Sequence, residues 1–168
     1  MKRLLPLLLV LSLPALAAGG KLDADDERAL RDYQLTTGTM EKLVKVGERM
    51  RDYVKEHPEA RNGGFMKGNK IDDSVQALQG KPFMMQMLNA EKLAPRDFML
   101  GTLTMMQSGM LLQLRAQYPD SPMPDNVNTS NLALVSKHAE LMQKWRAAWE
   151  IGARKVRVPN VPNQESKP

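Results

Sequence analysis

Apolar residues recur at three- and four-residue steps along most of this chain, a spacing typical of amphipathic α-helices. The longest such run extends from Pro95 to Gln117. Its apolar stripe is formed by Phe98, Met99, Leu103, Met106, Met110 and Leu114. Further apolar residues flank this stripe, so we predict a central helix that its neighbours cover. Pro95 in the first helical position and Asp97 in the first turn indicate where the helix begins.

The same periodicity predicts helices on both sides of the central one. They cover residues 27–33, 40–57, 71–78 and 82–93, and a last helix follows the capping residues 128–131 and reaches about Arg154. We find no internal repeat and no segment with the strict alternation of a strand. The predicted fold is therefore all-α, a compact antiparallel bundle of about four main helices with short extra helical turns.

The first residues have the three parts of a secretory signal peptide. Lys2 and Arg3 precede a short apolar run, and Ala15-Leu16-Ala17 supplies the small residues of a cleavage site. We therefore predict a signal peptide at 1–17, a single helical domain at 18–153 and a disordered basic tail at 154–168. No later segment has the roughly 20 apolar residues of a membrane span, so the expected location is periplasmic or secreted.

Composition removes several kinds of chemistry. The chain has no cysteine, which excludes thiol catalysis, disulfides and thiolate metal sites. Its formal net charge is +5, and removal of Lys2 and Arg3 lowers that to +3. Much of the remaining excess lies in the predicted tail, so we expect no nucleic acid partner. The partner that we expect is therefore an unknown protein or small molecule.

Three short stretches resemble a group of small exported bacterial helical proteins of uncharacterised function. They are YQLT at 33–36, LAPRDF at 93–98 and NLALV at 131–135. In that group a glycine, suited to a left-handed turn, usually precedes the leucine of the second stretch, whereas this chain has Lys92 there. The resemblance implies a helical architecture and carries over no catalytic or binding residue.

Methionine is the first candidate for chemistry, because the chain has 13 of them. Thioethers bind Cu(I), but they also fill irregular gaps between packed helices. Met106 and Met110 fall on the same stripe as Leu103, which favours core packing over a metal site. A methionine-lined face that binds a partner is a further alternative.

Histidine is the second candidate. The chain has two, and His138 lies within the apolar stripe of the predicted last helix. Paired with Met106 or Met110 across the bundle, it offers a ligand set for non-covalent haem or for copper. The alternative, which we favour, is a histidine at the core edge that is hydrogen-bonded to a neighbour. We therefore expect no cofactor and no metal site.

Acidic and aromatic residues give no catalytic arrangement. We interpret the run Asp23, Asp25, Asp26 and Glu27 as solvated surface, and Asp72 or Asp73 as the cap of a helix. Trp145 and Trp149 lie one turn apart, and we interpret them as an anchor for the last helix rather than a stacking platform. No catalytic motif is present, so we expect no enzyme activity.

The function that the sequence favours is that of an exported soluble helical protein that works by binding or interaction. The expected sites are the proline-rich loop, the glycine-rich loop and any methionine-lined groove. The alternative is a periplasmic carrier of haem or copper that uses His138 and core methionines.

Overall fold

The structure is a computed structural model that describes residues 22–62, 66, 68–120, 122–124 and 126–149. The predicted signal peptide at 1–17 and the predicted tail at 154–168 lie outside the described residues, as does the end of the predicted last helix. No helix in the described ranges is both long enough and apolar enough to cross a bilayer.

The described part of the chain contains seven α-helices and no strand, which confirms the all-α prediction. The helices are α1 (Ala24–Asp32), α2 (Thr37–Glu56), α3 (Ile71–Gln79), α4 (Pro82–Ala90), α5 (Pro95–Gln117), α6 (Thr129–Lys137) and α7 (Ala139–Trp149). A short 3₁₀ helix, Pro58–Asn62, follows α2. Two helices, α2 and α5, are long, and the others have 9 to 11 residues.

Local capping chemistry explains where several helices begin. The Thr36 hydroxyl accepts from the backbone N–H of Thr39 at 3.1 Å and so caps the N-terminus of α2. Asn128 caps α6 in the same way, by accepting from Ser130 and Asn131. Helix α5 begins at Pro95 and has the predicted bounds.

Asp26 does not lie on the solvated surface that we predicted for the acidic run. Its side chain is buried, and Oδ2 accepts from the backbone N–H of Ile71 at 2.7 Å. Asp26 thus caps the first N–H of α3 from a different helix. The prediction that Asp72 or Asp73 caps α3 is wrong, since the N-cap is Lys70, without a side-chain bond, and Asp72 pairs with Arg96. A cap supplied by a distant helix leaves no local sequence signal.

The predicted last helix is two helices, α6 and α7, and the prediction of one continuous helix is wrong. His138 separates them, with φ −109° and ψ 46°. Its backbone N–H donates to Leu134 O, while its carbonyl accepts from Leu141 and Met142 in the next helix. Because the break takes a single residue, the apolar spacing continues across it.

The turn between α4 and α5 has the backbone that a glycine would favour, although this chain has a lysine there. Lys92 has φ 50°, and the N–H of Leu93 donates back to Leu88 O at 3.0 Å. Lys42 Nζ donates to the Lys92 carbonyl at 3.2 Å, which helps to hold a conformation that costs a non-glycine residue roughly 1–2 kcal/mol.

Helix α5 lies at the centre and packs on α1, α2, α3, α4 and α6. Its N-terminal half is buried on nearly all sides, from Phe98 through Met105. The largest fully buried side chains elsewhere include Met40, Leu43, Ile71, Leu78, Met84 and Leu88. The core is therefore continuous around the first half of α5.

Helix α7 packs along α2 and runs in the same direction. His138, just before α7, contacts Thr37 in the first turn of α2, and Ala148 near the end of α7 lies against Gly47. A β-carbon built at Gly47 would lie 2.9 Å from the Ala148 β-carbon and 2.7 Å from Trp149 Nε1. The absence of a side chain at Gly47 therefore permits the close approach of α7 to α2.

Helix α7 runs antiparallel to α5. Trp149, at its end, contacts Phe98 near the start of α5, with ring centroids 5.9 Å apart. Met142, in the first half of α7, lies against Gly109 in the second half of α5. Trp145 is 6% exposed. The two tryptophans thus anchor the last helix on the bundle, as the sequence indicated.

Candidate functional site

Met106 and Met110 lie on the surface rather than in the core. Their exposed fractions are 38% and 37%, whereas Met99 and Leu103, earlier on the same stripe, are 0% and 2% exposed. The interpretation that all these methionines pack in the core is therefore wrong for Met106 and Met110. The stripe is continuous in sequence, but its residues are buried through Leu103 and exposed at Met106 and Met110.

A groove opens beside this exposed stripe, between α5 and the two last helices. Its volume is about 190 Å³. It is lined by Gly109, Leu112 and Gln113 of α5, Val135 of α6, and Ala139, Met142, Gln143 and Arg146 of α7. We call it the α5–α7 groove.

Gly109 and Met142 set the depth of the α5–α7 groove. A β-carbon built at Gly109 would meet the Met142 methyl carbon, so the glycine makes room for Met142 to lie across the α5 backbone. Val135 is fully buried and Met142 is 7% exposed. These apolar side chains form a floor, and the flexible end of Met142 is the part of it that can move.

Arg146 is the charged residue among those that line the groove. Its Nη2 donates to the Gly109 carbonyl at 3.3 Å, which ties α7 to α5 across the groove. Arg146 as a whole is an exposed residue. Since a guanidinium has five N–H donors, others are available to an incoming carboxylate.

The rim of the groove on the α5 side carries no charge. Met106 precedes Gly109 by three positions, and Met110 precedes Gln113 by three, so each exposed methionine adjoins a groove residue on the helix surface. Exposed side chains of α5 on this side are thus methionine and glutamine. In a chain with 26% charged residues, this is a distinct surface.

His138 lies elsewhere and faces α2. It is half-buried, and its Nε2 lies 3.3 Å from the Thr37 hydroxyl. This is the arrangement of the alternative that we favoured, a core-edge histidine bonded to a neighbour. The described contacts of His138 do not bring it to Met106 or Met110. Within the described residues, no group of three His, Asp or Glu side chains is placed to hold a metal ion.

The three stretches at 33–36, 93–98 and 131–135 meet in the fold. The Asn131 amide, 2% exposed, accepts from the Leu35 N–H at 2.9 Å and donates to the Tyr33 carbonyl at 2.7 Å. The Tyr33 hydroxyl lies 3.5 Å from the Asp97 carbonyl. These contacts join the start of α6 and the start of α5 to the turn before α2, so the stretches hold the fold together.

Tyr33 at this junction is the one described side chain there with a perturbed acidity. Burial raises the pKa of the Tyr33 phenol above its usual 10.0, the negative charge of Asp97 raises it further, and a hydrogen bond from Thr39 acts in the opposite direction. The phenol therefore stays protonated at neutral pH and contributes packing rather than proton transfer.

A second concavity lies near Gly68, Asp73, Gln76 and Ala77 and has a volume of about 510 Å³. Gly68 belongs to the predicted glycine-rich loop at 59–70, of which residues 63–65 and 67 lie outside the described residues. The predicted proline-rich loop is likewise described only in part. The α5–α7 groove is thus the concavity whose walls belong to well-defined helices.

Sequence reasoning anticipated a methionine-lined groove but identified neither its floor nor Arg146. The signal available in the sequence was Gly109, a glycine within a run of large apolar residues, which indicates close approach of another chain segment. Comparison with protein-family models, with curated proteins and with solved structures finds no match for this chain.

Proposed function

We propose that this protein is an exported binding protein that captures a segment of a partner protein in the α5–α7 groove. In this proposal one apolar side chain of the partner enters the groove, and a carboxylate beside it pairs with Arg146. The signal peptide that the sequence predicts at 1–17 supports the location. The observation that carries the binding proposal is an apolar concavity with one guanidinium among its described lining residues, next to the uncharged rim of Met106 and Met110.

The volume of the groove favours a side chain over a whole small molecule. Small-molecule sites are commonly about 300–1,000 Å³, and the groove has about 190 Å³. One large apolar side chain is the kind of anchor that protein interfaces place in such a pocket. Exposed methionines suit the surrounding contact, because their flexible thioethers adapt to the partner surface.

The charge of the groove specifies the partner further. Arg146 is an exposed residue that donates to the Gly109 carbonyl, and the described residues that line the groove include no aspartate or glutamate. A partner helix with an apolar face and an acidic residue one turn from its anchor meets both features. A carboxylate that pairs bidentately with the guanidinium also fixes the orientation of the segment.

Selection of displayed peptides on the purified protein supplies a probe for this proposal. The peptide with the highest affinity is then measured against Arg146→Gln and against Lys144→Gln, which removes a positive charge from a different side of α7. We expect Arg146→Gln to weaken binding about tenfold or more, as for a lost charged hydrogen bond, and Lys144→Gln to leave it unchanged.

Two exposed alanines of α7 provide a steric test with the same peptide. Ala139 lines the groove, while Ala147 is exposed outside it. Ala139→Phe should fill the groove and abolish binding, and Ala147→Phe should have no effect. A peptide that binds Arg146→Gln and Ala139→Phe as tightly as the unmodified protein would show that the groove is not the site.

A further inference from the structure

The four methionines of α5 divide sharply by exposure. Met99 and Met105 are 0% exposed. Met106 and Met110 are 38% and 37% exposed. The division falls between neighbours in the chain, because Met105 is fully buried and Met106, the next residue, has its side chain in solvent.

Met106 and Met110 are also neighbours in space. They are four positions apart on one helix, which places their side chains side by side on its surface. The opposite side of this part of α5 is buried through Ser108 and Leu111. A chemical change at the two thioethers therefore alters the surface without entering the core.

We propose that Met106 and Met110 form a paired oxidation site for peroxides, and that oxidation there weakens binding at the α5–α7 groove. In each reaction a sulfur lone pair attacks one peroxide oxygen, an S–O bond forms and the O–O bond breaks. The leaving hydroxide takes the proton from the oxygen now bound to sulfur, which gives water and the neutral sulfoxide. The sulfur loses two electrons and becomes a sulfoxide, while the peroxide gains the two electrons.

Oxidation to sulfoxides makes the rim of the groove more polar. An apolar, adaptable thioether becomes a polar group with a strong acceptor oxygen. A partner that covers this oxygen without donating a hydrogen bond has to strip its water, and affinity falls about tenfold for each group that is buried unpaired. The effect of oxidation on binding, the regulatory half of the proposal, rests on the proposed function. The preferential oxidation of Met106 and Met110, the chemical half, does not.

The chemical half is measured within one peptide. Trypsin cleaves after Arg96 and Arg115 and releases residues 97–115, which contain Met99, Met105, Met106 and Met110. The folded protein is treated with hydrogen peroxide, and fragment-ion mass spectrometry follows each of the four methionines. We expect Met106 and Met110 to oxidise at least about tenfold faster than Met99 and Met105, since their sulfurs are accessible.

Two controls make that result decisive. In denaturant all four methionines should react at the same rate, which removes any effect of neighbouring sequence. Met66, 47% exposed and located in a separate tryptic peptide, should oxidise alongside the exposed pair in the folded protein. Parallel oxidation of all four methionines in the folded protein would overturn the assignment of the site.

The effect of oxidation on binding is measured with the peptide selected for the groove. Its affinity is determined before and after peroxide treatment, and the ratio of the two is the readout. The ratio should be about tenfold or more for the unmodified protein and for Met66→Leu, and near one for Met106→Leu with Met110→Leu. Equal ratios in all three proteins would exclude regulation at this rim. Failure of the peptide to bind the groove at all would contradict the proposed function, but it would leave the assignment of the oxidation site unaffected.

Discussion

The two halves of α5 carry the same mixture of leucine and methionine, but they lie in different surroundings. In the first half Met99 and Leu103 are at most 2% exposed. In the second half Met106 and Met110, on the same stripe, are more than a third exposed. The apolar pattern of the helix is thus a property of the sequence, while its burial is a property of the neighbouring helices.

The two glycines of α5 show how the surroundings differ. A β-carbon at Gly101 would meet Leu43 at 3.0 Å, and Leu43 is fully buried in α2. A β-carbon at Gly109 would instead meet the ends of Met142 and Arg146, which border the open groove. Gly101 lets Leu43 of α2 pack closely on α5 in the core, whereas Gly109 makes room for Met142 at the floor of the groove. A single helix therefore forms the centre of the fold and one wall of the proposed binding site.

Replacing two adjacent methionines, one in each half of α5, should give the largest difference in stability. Met105→Ala should lower the free energy of unfolding by about 2–5 kcal/mol, because it leaves a cavity in the core. Met106→Ala should change it by less than about 0.5 kcal/mol, because the side chain is exposed. Urea unfolding, followed by helical circular dichroism, measures both.

The comparison of Met105 with Met106 controls for helix propensity, since both substitutions replace methionine with alanine in the middle of α5. Equal losses of stability in the two variants would mean that the second half of α5 is covered as well. The groove would then be closed in solution.

Replacing the two glycines of α5 with alanine should give smaller changes in stability, of opposite sign. Gly101→Ala should destabilise the protein by about 1 kcal/mol or more, because Leu43 has no free space into which to move and overpacking outweighs the gain in helix propensity. Gly109→Ala should be neutral or stabilising by roughly 0.5 kcal/mol, since Met142 can turn toward the groove. The same urea titration measures these changes.

Gly109→Ala also tests the groove, because the displaced Met142 should occupy it. We expect the variant to be folded and stable but to bind the selected peptide more weakly. A loss of stability as large as that of Gly101→Ala would show that Met142 is fixed in place and that the floor of the groove is rigid.

Signals that lie within a few residues of each other predicted much of this fold. The threonine cap of α2, the proline at the start of α5 and the asparagine before α6 act on their own backbone, so their sequence positions suffice. The start of α5 follows from its proline, and the all-α class follows from the apolar periodicity.

Features that depend on distant residues were not predictable in this way. Asp26 caps α3 from α1, and Thr37 of α2 meets His138 at the break between α6 and α7. The exposure of Met106 depends on how the other helices pack around α5, which the pattern of α5 itself does not record. The candidate site belongs to this class, because its walls come from three helices and Arg146, the charged residue among its described lining residues, comes from α7.

Tyr33 offers the smallest and most local test of the covered half of α5. Its hydroxyl lies 3.5 Å from the Asp97 carbonyl, and burial followed by the charge of Asp97 raises the pKa of the phenol above 10.0. The folded state therefore holds the Tyr33 proton more tightly than the unfolded state. The resulting stabilisation is fully present below pH 10 and is lost as the pH rises through the folded-state pKa.

Absorbance of the phenolate at 295 nm across an alkaline titration measures this ionisation, and the difference from Tyr33→Phe isolates it from the other two tyrosines. Asp97→Asn should lower the pKa of Tyr33 because it removes a nearby negative charge, yet the pKa should stay above 10.0 because burial is the larger cause. If Tyr33 instead ionised at its usual pKa in the folded protein, water would reach the junction of α1, α2 and α5. The first half of α5 would then be less completely covered than its fully buried Met99 indicates.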